Sequence, residues 1–284
     1  MRLKKMKRIL IVGEKSYIAK SFEIFARNKY EIRIVSSRNQ AWRDVDFKGY
    51  DSVLHCAGIA HVSRRAKMRS LYYNVNCDLA VDVAKKAKGE NIRQFIFLSS
   101  ILVYGNNRAA IDRNTIPFPD DFYGGSKLKA EEELQKIENN NFRLCVVRPP
   151  MVYGNNCKGN FKRLIKLSKM MPVFPDYPNR RSMIFIDNLC DFLCRLIDND
   201  EQGIFLPQND QYITTTELVC CISECYNKKI YKIKLLNPLI SLLVKGIPLF
   251  EKLFGDLYYI PDEDNMNTVG FKESIKKSIN GSML

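Results

Sequence analysis

The first half of the chain alternates short apolar runs with segments of helical spacing, and no other sequence feature constrains the fold as strongly. Strands are predicted at Arg8–Val12, Tyr30–Val35, Ser52–His55, Gln94–Leu98 and Arg143–Val147, and the first of them (RILIV) is a near-continuous apolar run. Runs without polar alternation are typical of strands that are buried on both faces of a sheet. Helices are predicted between them at Tyr17–Arg27, Ser70–Lys88 and Tyr123–Ile137. Repeated strand-helix-strand units predict an α/β fold with a doubly wound parallel sheet.

The pattern becomes less regular after Pro149, where strands and helices are shorter and prolines more frequent. We therefore expect two domains, with the parallel sheet in residues 1–154 and a smaller C-terminal α/β lobe in residues 155–284. The strand and helix near residues 183–198 are expected to return to the first domain.

The chain is basic, with 45 Lys and Arg against 31 Asp and Glu, which gives a formal net charge of +14. One interpretation is a nucleic-acid or anionic-membrane partner, and the other is an enzyme surface suited to anionic substrates. The basic residues are spread along the chain and no zinc-finger or RNP-type signature accompanies them. We therefore expect an anionic substrate and no nucleic-acid partner.

Hydropathy and cysteine content together indicate the cellular compartment in which the protein is expected. No apolar run reaches the roughly 18 residues of a membrane-spanning helix, and Ile9–Val12 is too short for the apolar region of a signal peptide. We expect a cytoplasmic protein without a transmembrane segment, in which the nine cysteines are reduced thiols. Cys190 with Cys194, and Cys221 with Cys225, are four residues apart, but without Cys-x-x-Cys and with two histidines in the chain we predict no metal site.

The first apolar run leads into the sequence from Gly13 to Ala19, which reads GEKSYIA. Glycines at such a turn allow the backbone to approach a pyrophosphate at a helix N-terminus. Only Gly13 is kept, because Ser16 and Ala19 stand where the other two glycines would be. The turn is either a plain strand-helix connection or a dinucleotide site, and its place after the first strand favours the second interpretation.

The end of the second strand distinguishes between two cofactors. An acidic residue there would bind the ribose hydroxyls of NAD, whereas this chain has Ser37 and Arg38. A hydroxyl followed by an arginine suits the 2′-phosphate of NADP. The cofactor is expected to be NAD or NADP, with NADP slightly favoured.

Tyr123 and Lys127 are four residues apart and share one face of the predicted helix. An ammonium near a phenol favours the phenolate and lowers the tyrosine pKa from about 10, which gives a proton shuttle. Ser100 follows the fourth strand, at the sheet edge where α/β proteins bind ligands. Taken singly, the Tyr-Lys pair could be a surface contact and Ser100 a helix cap.

Several further motifs occur in a fixed order along the chain: Val53-Leu54-His55-Cys56-Ala57-Gly58, Tyr73-Asn74-Val75-Asn76, Ser99-Ser100, Val103-Tyr104-Gly105, Arg148-Pro149-Pro150-Met151-Val152-Tyr153-Gly154, Arg180-Arg181-Ser182-Met183 and Asp187-Asn188-Leu189. With the turn at Gly13 and the Tyr123–Lys127 pair, the sequence resembles the extended short-chain dehydrogenase/reductase family. Within it, the chain is similar to the nucleotide-sugar epimerases, dehydratases and 4-ketoreductases. The resemblance implies a Rossmann-type NAD(P)-binding domain followed by a nucleotide-sugar lobe.

The resemblance also implies roles for individual positions. The implied catalytic residues are Ser100, Tyr123 and Lys127. The cofactor-binding residues, including the two that follow the second strand, are Gly13, Ser16, Tyr17, Ile18, Ser37, Arg38, Ala57, Gly58, Asn76, Tyr123, Lys127 and Pro149. The implied substrate-binding residues are Ser100, Asn160 and Arg181, because an arginine suits a nucleotide diphosphate. His55 is interpreted as structural, and His61 is expected near the ligand.

The implied activity is hydride transfer between a nicotinamide and the C4 carbon of a nucleotide sugar, as an epimerase or a 4-ketoreductase, in surface polysaccharide precursor synthesis. A non-catalytic relative that senses a cofactor or acts as a scaffold is the alternative, since the glycine turn is incomplete. Family members form homodimers, and a homodimer is expected here. The apolar segment Leu235–Tyr259, with Lys245 and Lys252, predicts either packing within the lobe or a subunit interface, or a peripheral membrane contact.

Overall fold

The computed structural model describes residues 6–60, 68–106, 109–157, 159–261 and 268–280. The strands are β1 (Arg8–Val12), β2 (Glu31–Val35), β3 (Ser52–His55), β4 (Gln94–Leu98), β5 (Ala110–Ile111), β6 (Arg143–Val147), β7 (Met151–Tyr153), β8 (Val173–Pro175), β9 (Met183–Phe185), β10 (Gly203–Phe205), β11 (Tyr231–Ile233) and β12 (Tyr258–Tyr259). The helices are α1 (Tyr17–Ala26), α2 (Arg69–Tyr73), α3 (Leu79–Gly89), α4 (Phe122–Gln135), α5 (Asn160–Met170), α6 (Ile186–Asp198), α7 (Thr215–Glu224), α8 (Asn237–Val244), α9 (Pro248–Phe254) and α10 (Phe271–Asn280).

The chain forms two compact units, and each is discontinuous in sequence. The first comprises the described residues of Met1–Val103, Pro117–Pro149 and Cys190–Leu206. The second comprises those of Tyr104–Ile116, Pro150–Leu189 and Pro207–Leu284.

A six-stranded sheet of strand order β10-β6-β4-β3-β1-β2 forms the centre of the first unit. Every neighbouring pair in this sheet is parallel, so the carboxyl ends of the strands lie along one edge. The five predicted strands correspond to β1, β2, β3, β4 and β6, and β10 adds the outer strand beside β6. The prediction of a doubly wound parallel sheet is confirmed.

Small side chains allow helix α3 to lie close to this sheet. Its alanines and Val83 are fully buried and belong to the same apolar core as Leu10, Phe95 and Phe97 of the sheet. Ala130 and Leu134 of α4 extend that core. The position of α4, which carries Tyr123 and Lys127, therefore rests on the packing of its buried face.

The helix predicted at residues 70–88 is interrupted. Between α2 and α3 the backbone forms a wide π-helical turn at Asn74–Asp78. Asn76 lies in this turn, is fully buried, and hydrogen-bonds the backbone of Ile59 and the hydroxyl of Ser126. These tertiary hydrogen bonds account for a local departure that helical periodicity alone does not contain.

The second unit is built from three two-stranded parallel sheets, β7-β9, β8-β11 and β5-β12. Its interior contains a polar cluster in which the Tyr153 hydroxyl contacts Ser274 Oγ at 2.5 Å and accepts from Asn209 Nδ2 at 2.9 Å. Asn188 Nδ2 donates to Asn209 Oδ1 at 3.1 Å and to the Val269 carbonyl at 2.9 Å. This cluster joins segments that are far apart in sequence.

The division between the units differs from the expected boundary after residue 154. Strand β7 pairs with β9, with Val152 opposite Ile184, so both strands lie in the second unit and the boundary falls between Pro149 and Pro150. The strand near residue 183 therefore does not return to the first unit. Helix α6 begins in the second unit, and its portion from Cys190 onward belongs to the first.

Three further observations concern membrane-spanning helices, cysteines and metal ions. Across residues 6–60, 68–106, 109–157, 159–261 and 268–280, no helix has both the length and the apolar character needed to cross a bilayer. All nine cysteines are free thiols. No group of three or more His, Cys, Asp or Glu side chains within the described ranges is arranged to hold a metal ion.

Phe95 tests the contribution of the central sheet to stability. Its ring is fully buried on β4 and lies 6.0 Å from the ring of Phe142. We expect Phe95→Ala to lower the free energy of unfolding by about 3–5 kcal/mol, because it removes a large side chain from a packed core. Urea denaturation followed by circular dichroism measures the change. Phe118→Ala is the matched control, because Phe118 is 71% exposed, and an equal loss in both variants would contradict the prediction.

Candidate active site

Helix α4 begins beside the carboxyl edge of the sheet, and two local features fix that start. The Asp121 side chain caps the helix by accepting from Gly124 N at 2.8 Å. A Cβ on Gly124 would lie 2.3 Å from the Leu102 carbonyl oxygen, so only glycine permits this approach. The first turn of α4 is therefore held against the segment that follows β4.

This close approach brings Tyr123 and Ser100 together. The Tyr123 phenol lies near the Ser100 hydroxyl, which acts to lower the pKa of the phenol. Ser100 also accepts from the backbone N of Leu102 at 3.2 Å, so the capping role considered from sequence is present as well. Two hydroxyl groups thus adjoin each other at the edge where the parallel strands end.

The pKa of Tyr123 differs from the sequence expectation. Burial raises the pKa of Tyr123 to about 12, which exceeds the lowering that the neighbouring Ser100 hydroxyl provides. The Lys127 ammonium does not offset this effect because it is directed towards the sheet, where it donates to the Leu98 carbonyl at 2.7 Å. In this state the phenol is uncharged at neutral pH, and the lowering predicted from the Tyr-Lys spacing is not observed.

Lys127 is itself a buried ammonium in an apolar setting. Burial lowers its pKa to about 8, while the neighbouring Cys56 and Glu131 act in the opposite direction. Its Nζ lies 4.6 Å from the centre of the Phe97 ring. A Cβ on Gly58 would lie 3.3 Å from the same Nζ, so the loop after β3 passes directly over the ammonium.

The turn after β1 and the loop after β3 are in close backbone contact at Gly13 and Ala57. Gly13 has φ +129°, and a Cβ there would lie 2.7 Å from Ala57 N. Ser16, in the second glycine place, has φ −70° and ψ 132°, so its side chain causes no backbone strain. Its hydroxyl caps α1 by accepting from Ala19 N at 3.4 Å. The incomplete glycine pattern is therefore compatible with the strand-helix turn.

The other residues expected at a cofactor site in the first unit follow the strand ends. Ser37 and Arg38 come after β2, whose Val35 carbonyl accepts from Gly13 N at 2.9 Å. Arg38 is exposed, and its backbone N donates to Ser36 Oγ at 3.3 Å. Tyr17 and Ile18 open α1, while Pro149 is buried after β6. Asn76 lies below the loop, and both N–H groups of its amide already have partners at Ile59 and Ser126.

The two expected substrate residues outside this group belong to the second unit. Asn160 is the first residue of α5 and follows Gly159, whose φ is +94°. Arg181 is fixed by backbone hydrogen bonds with Ile213 in both directions, and its Nη1 donates to the Gly255 carbonyl at 2.9 Å. Burial lowers the pKa of the Arg181 guanidinium to about 10, which leaves it charged at neutral pH.

His55 is buried between aromatic rings. Its ring centroid lies 6.0 Å from those of Phe95 and Phe97, and neither ring nitrogen has a hydrogen-bond partner among the described residues. Burial lowers its pKa to about 3, so the ring is neutral. This environment accords with the structural interpretation of His55. His61 lies outside the described residues.

Sequence reasoning missed a buried ionic network next to this site. Glu131 is one helical turn after Lys127, and Arg148 Nε lies 3.1 Å from both of its carboxylate oxygens. The Arg148 Nη2 donates to Glu131 Oε2 at 2.5 Å, and the Ser99 hydroxyl donates to Oε1 of the same carboxylate. Two features of the sequence could have indicated this network: Arg148 directly follows an apolar strand, and Glu131 is four positions after Lys127. Neither feature by itself distinguishes a buried ion pair from two surface residues.

Comparisons with known proteins agree with this architecture. The profile of the NAD dependent epimerase/dehydratase family matches residues 7–206. The UDP-glucose 4-epimerase of Vibrio cholerae is 31% identical over 259 residues, which are 84% of this chain and 75% of that protein. The N-acetyl-alpha-D-glucosaminyl-diphospho-ditrans,octacis-undecaprenol 4-epimerase of Escherichia coli O157:H7 is 29% identical over 231 residues, 78% of this chain and 69% of that protein.

Among solved structures, the UDP-N-acetylglucosamine 4-epimerase from Bacillus cereus superposes with a TM-score of 0.79. The alignment covers 98% of this chain and 100% of that one at 14% sequence identity. At this identity the similarity concerns the fold.

The Glu131–Arg148 pair gives a prediction about stability. Glu131→Gln should lower the free energy of unfolding by about 3–5 kcal/mol, because it leaves the buried Arg148 guanidinium without its counter-charge. Replacing both residues, as Glu131→Leu with Arg148→Met, should recover most of the loss. The midpoints of urea unfolding compare the variants.

Glu133→Gln is the control for this experiment, since Glu133 makes ion pairs with Lys129 and Lys136 at the surface of the same helix. We expect it to leave the midpoint unchanged, because exposed ion pairs contribute little. Equal destabilisation by Glu131→Gln and Glu133→Gln would rule out the special role of the buried pair.

Proposed function

Because the chain belongs to the NAD dependent epimerase/dehydratase family, we propose that it catalyses reversible hydride transfer at C4 of a nucleotide sugar. The observation that carries this proposal is the nearness of the Tyr123 phenol and the Ser100 hydroxyl at the carboxyl edge of the parallel sheet, with the Lys127 ammonium buried below the adjoining loop. The site thus offers a proton donor, a group to orient an oxygen and a positive charge, all within the first unit.

The glycine at position 13 supports a dinucleotide at this turn, since it lets the backbone after β1 approach the loop after β3, where a Cβ would lie 2.7 Å from Ala57 N. We assign the pyrophosphate to Gly13 and residues 16–18, and the adenosine ribose to Ser37 and Arg38. Ala57 and Gly58 would lie along the cofactor, above Asn76, with Lys127 at the nicotinamide ribose and Pro149 beside the ring. NAD or NADP supplies a nicotinamide that accepts or donates hydride.

Tyr123 is assigned the proton transfer. In the direction that reduces a 4-keto sugar, its neutral phenol donates a proton to the carbonyl oxygen, a role that suits a raised pKa. Ser100 would donate a hydrogen bond to the same oxygen and hold it against the phenol. In the oxidative direction Tyr123 acts as the phenolate that remains after it has given up its proton, and it takes a proton back from the C4 hydroxyl.

The substrate is assigned to Arg181 and Asn160 of the second unit. Arg181 is held by the Gly255 carbonyl, and a guanidinium fixed in this way suits bidentate binding of a diphosphate. A 4-epimerase would return hydride to the opposite face of the sugar, whereas a 4-ketoreductase would stop after one transfer. The named relatives favour the epimerase and Arg38 favours an NADP-dependent reductase, so we propose the combined class, acting in surface polysaccharide precursor synthesis.

A second candidate substrate carries a polyprenyl diphosphate in place of the nucleoside diphosphate. The Escherichia coli O157:H7 relative is named for such a compound. The same Arg181 would recognise the diphosphate of either substrate. Parallel assays with UDP-N-acetylglucosamine and undecaprenyl diphosphate-N-acetylglucosamine separate the two, and conversion of neither would support a non-catalytic cofactor sensor or scaffold.

We further propose a homodimer in the cytosol. A groove of about 710 Å³ runs along α2, the turn after it, α3 and α4, and charged side chains form most of its lining: Arg69, Asp78, Asp82, Lys85, Lys129 and Glu133 beside Tyr73, Cys77 and Val81. A helix from a second copy could occupy it. Size-exclusion chromatography with light scattering measures the mass, and a monomer at micromolar concentration would refute the dimer.

Tyr123→Phe tests the assignment of the proton donor. Removing the hydroxyl should lower kcat by about 10²–10⁴-fold, the range of general acid-base catalysis, with little change in nucleotide-sugar affinity. Tyr231→Phe serves as the control, because Tyr231 is exposed on β11. Turnover by Tyr123→Phe at the rate of the native protein would refute the proposed mechanism.

Gly13→Ala tests the cofactor site. We expect NADH and NADPH to bind about tenfold more weakly or worse, since the variant combines a positive φ with a backbone clash. Titration followed by protein fluorescence gives the dissociation constants. Gly89→Ala is the matched control, because a Cβ at Gly89 would meet nothing within 4 Å. Unchanged affinity in Gly13→Ala would place the cofactor elsewhere.

A further inference from the structure

An apolar surface is exposed on the second unit, in the segment that contains α8 and α9. Leu239 and Leu242, three residues apart on one side of α8, are 54% and 69% exposed. The other exposed apolar side chains of this segment are Leu235, Leu236, Ile247 and Leu249. We call these six residues the leucine surface. Single exposed leucines are common in proteins, whereas six within 15 residues mark an interaction site.

The opposite side of α8 is anchored to the rest of the unit. Ile240 is buried, and Asn237 Nδ2 donates to the Asp176 carbonyl at 2.9 Å. The Ser241 hydroxyl lies 3.3 Å from the Tyr177 hydroxyl. Helix α8 is therefore held in place by one face while its leucines project away from that face. Leu239 and Leu242, the two members of the leucine surface that lie on α8, therefore have a fixed orientation.

Positive charges outnumber negative ones along the segment that carries the leucine surface, which is followed by Glu251 in α9. Residues 225–250 contain five lysines and no Asp or Glu, so this segment has a formal charge of +5. The lysines are Lys228, Lys229, Lys232, Lys234 and Lys245. Asp176 lies 3.8 Å from Lys234 and offsets part of that charge. Lys232 and Lys245 are exposed and stand before and after α8 in the chain.

We propose that the leucine surface docks the protein onto an anionic lipid bilayer. Exposed leucines beside lysines suit the boundary between acyl chains and negatively charged headgroups. An interface with another protein is less compatible with these residues, because lysine is depleted at such interfaces. The bilayer is therefore the occupant that both the apolar and the charged residues fit. This inference depends on the surface alone and does not require the proposed catalytic activity.

Flotation with lipid vesicles tests the docking in the full chain. Vesicles of phosphatidylcholine mixed with phosphatidylglycerol are compared with vesicles of phosphatidylcholine alone, at about 0.15 M salt. The native protein should float with the anionic vesicles and much less with the neutral ones. Leu239→Gln with Leu242→Gln should lower the partition coefficient by at least about tenfold, because the inserted apolar groups are lost.

The matched control is Ile24→Gln with Ile116→Gln, since these side chains are 68% and 77% exposed and are not part of the segment of residues 225–250. This control should bind anionic vesicles as the native protein does. Lys232→Gln with Lys245→Gln should weaken binding by about fivefold for each lysine. Lys20→Gln with Lys48→Gln, which removes two other exposed lysines, should have a smaller effect. Should the first leucine variant fold poorly by circular dichroism, Leu235→Gln with Leu249→Gln replaces it.

Three outcomes would overturn the proposal. They are no flotation of the native protein, equal loss in the leucine variant and its isoleucine control, or conversion of a native dimer into a monomer by the leucine substitutions without any vesicle binding. Tyr123→Phe should bind vesicles normally, because it leaves this surface intact. Failure of the catalytic proposal is thereby distinguished from failure of the docking proposal.

Discussion

The buried ion pair between Glu131 and Arg148 is the interaction on which the geometry of the site depends. It connects α4 with the end of β6, and the Ser99 hydroxyl adds the end of β4 to the same carboxylate. A charge pair in an apolar interior is tolerated only when its geometry is good and its remaining hydrogen-bonding groups are satisfied. Because Lys127 is one turn before Glu131, this constraint also fixes where the lysine stands.

Close backbone contacts supply the second constraint on the site. Gly124 allows α4 to touch the segment after β4, and Gly13 allows the turn after β1 to touch the loop after β3. Hydrogen bonds of Asn76 then hold that loop over Lys127. The reactive side chains are thus placed by interactions of the backbone and of residues without a role in the proposed chemistry. Such support is typical of sites that require fixed geometry.

Much of the fold could be predicted because it follows from local pattern. The strands Arg8–Val12, Ser52–His55 and Gln94–Leu98 have the limits that their apolar runs indicated. The candidate residues Ser100, Tyr123 and Lys127 were found from spacing and from their places after strands or at a helix start. The division into units could not be found in this way, because the pairing of β7 with β9 depends on residues about thirty positions apart.

The sequence by itself determined the class of fold and the family, and it supplied the candidate residues of the proposed site, since these depend on periodicity and on motifs within a few residues. Only the tertiary structure decided their electrostatic state. Burial raises the pKa of Tyr123 to about 12 and lowers that of Lys127 to about 8. The tertiary structure also pairs Arg148 with Glu131, and it determines which face of α8 carries the exposed leucines. The physical reason is that desolvation and ion pairing depend on what surrounds a group in space, and neighbours in space are distant in sequence.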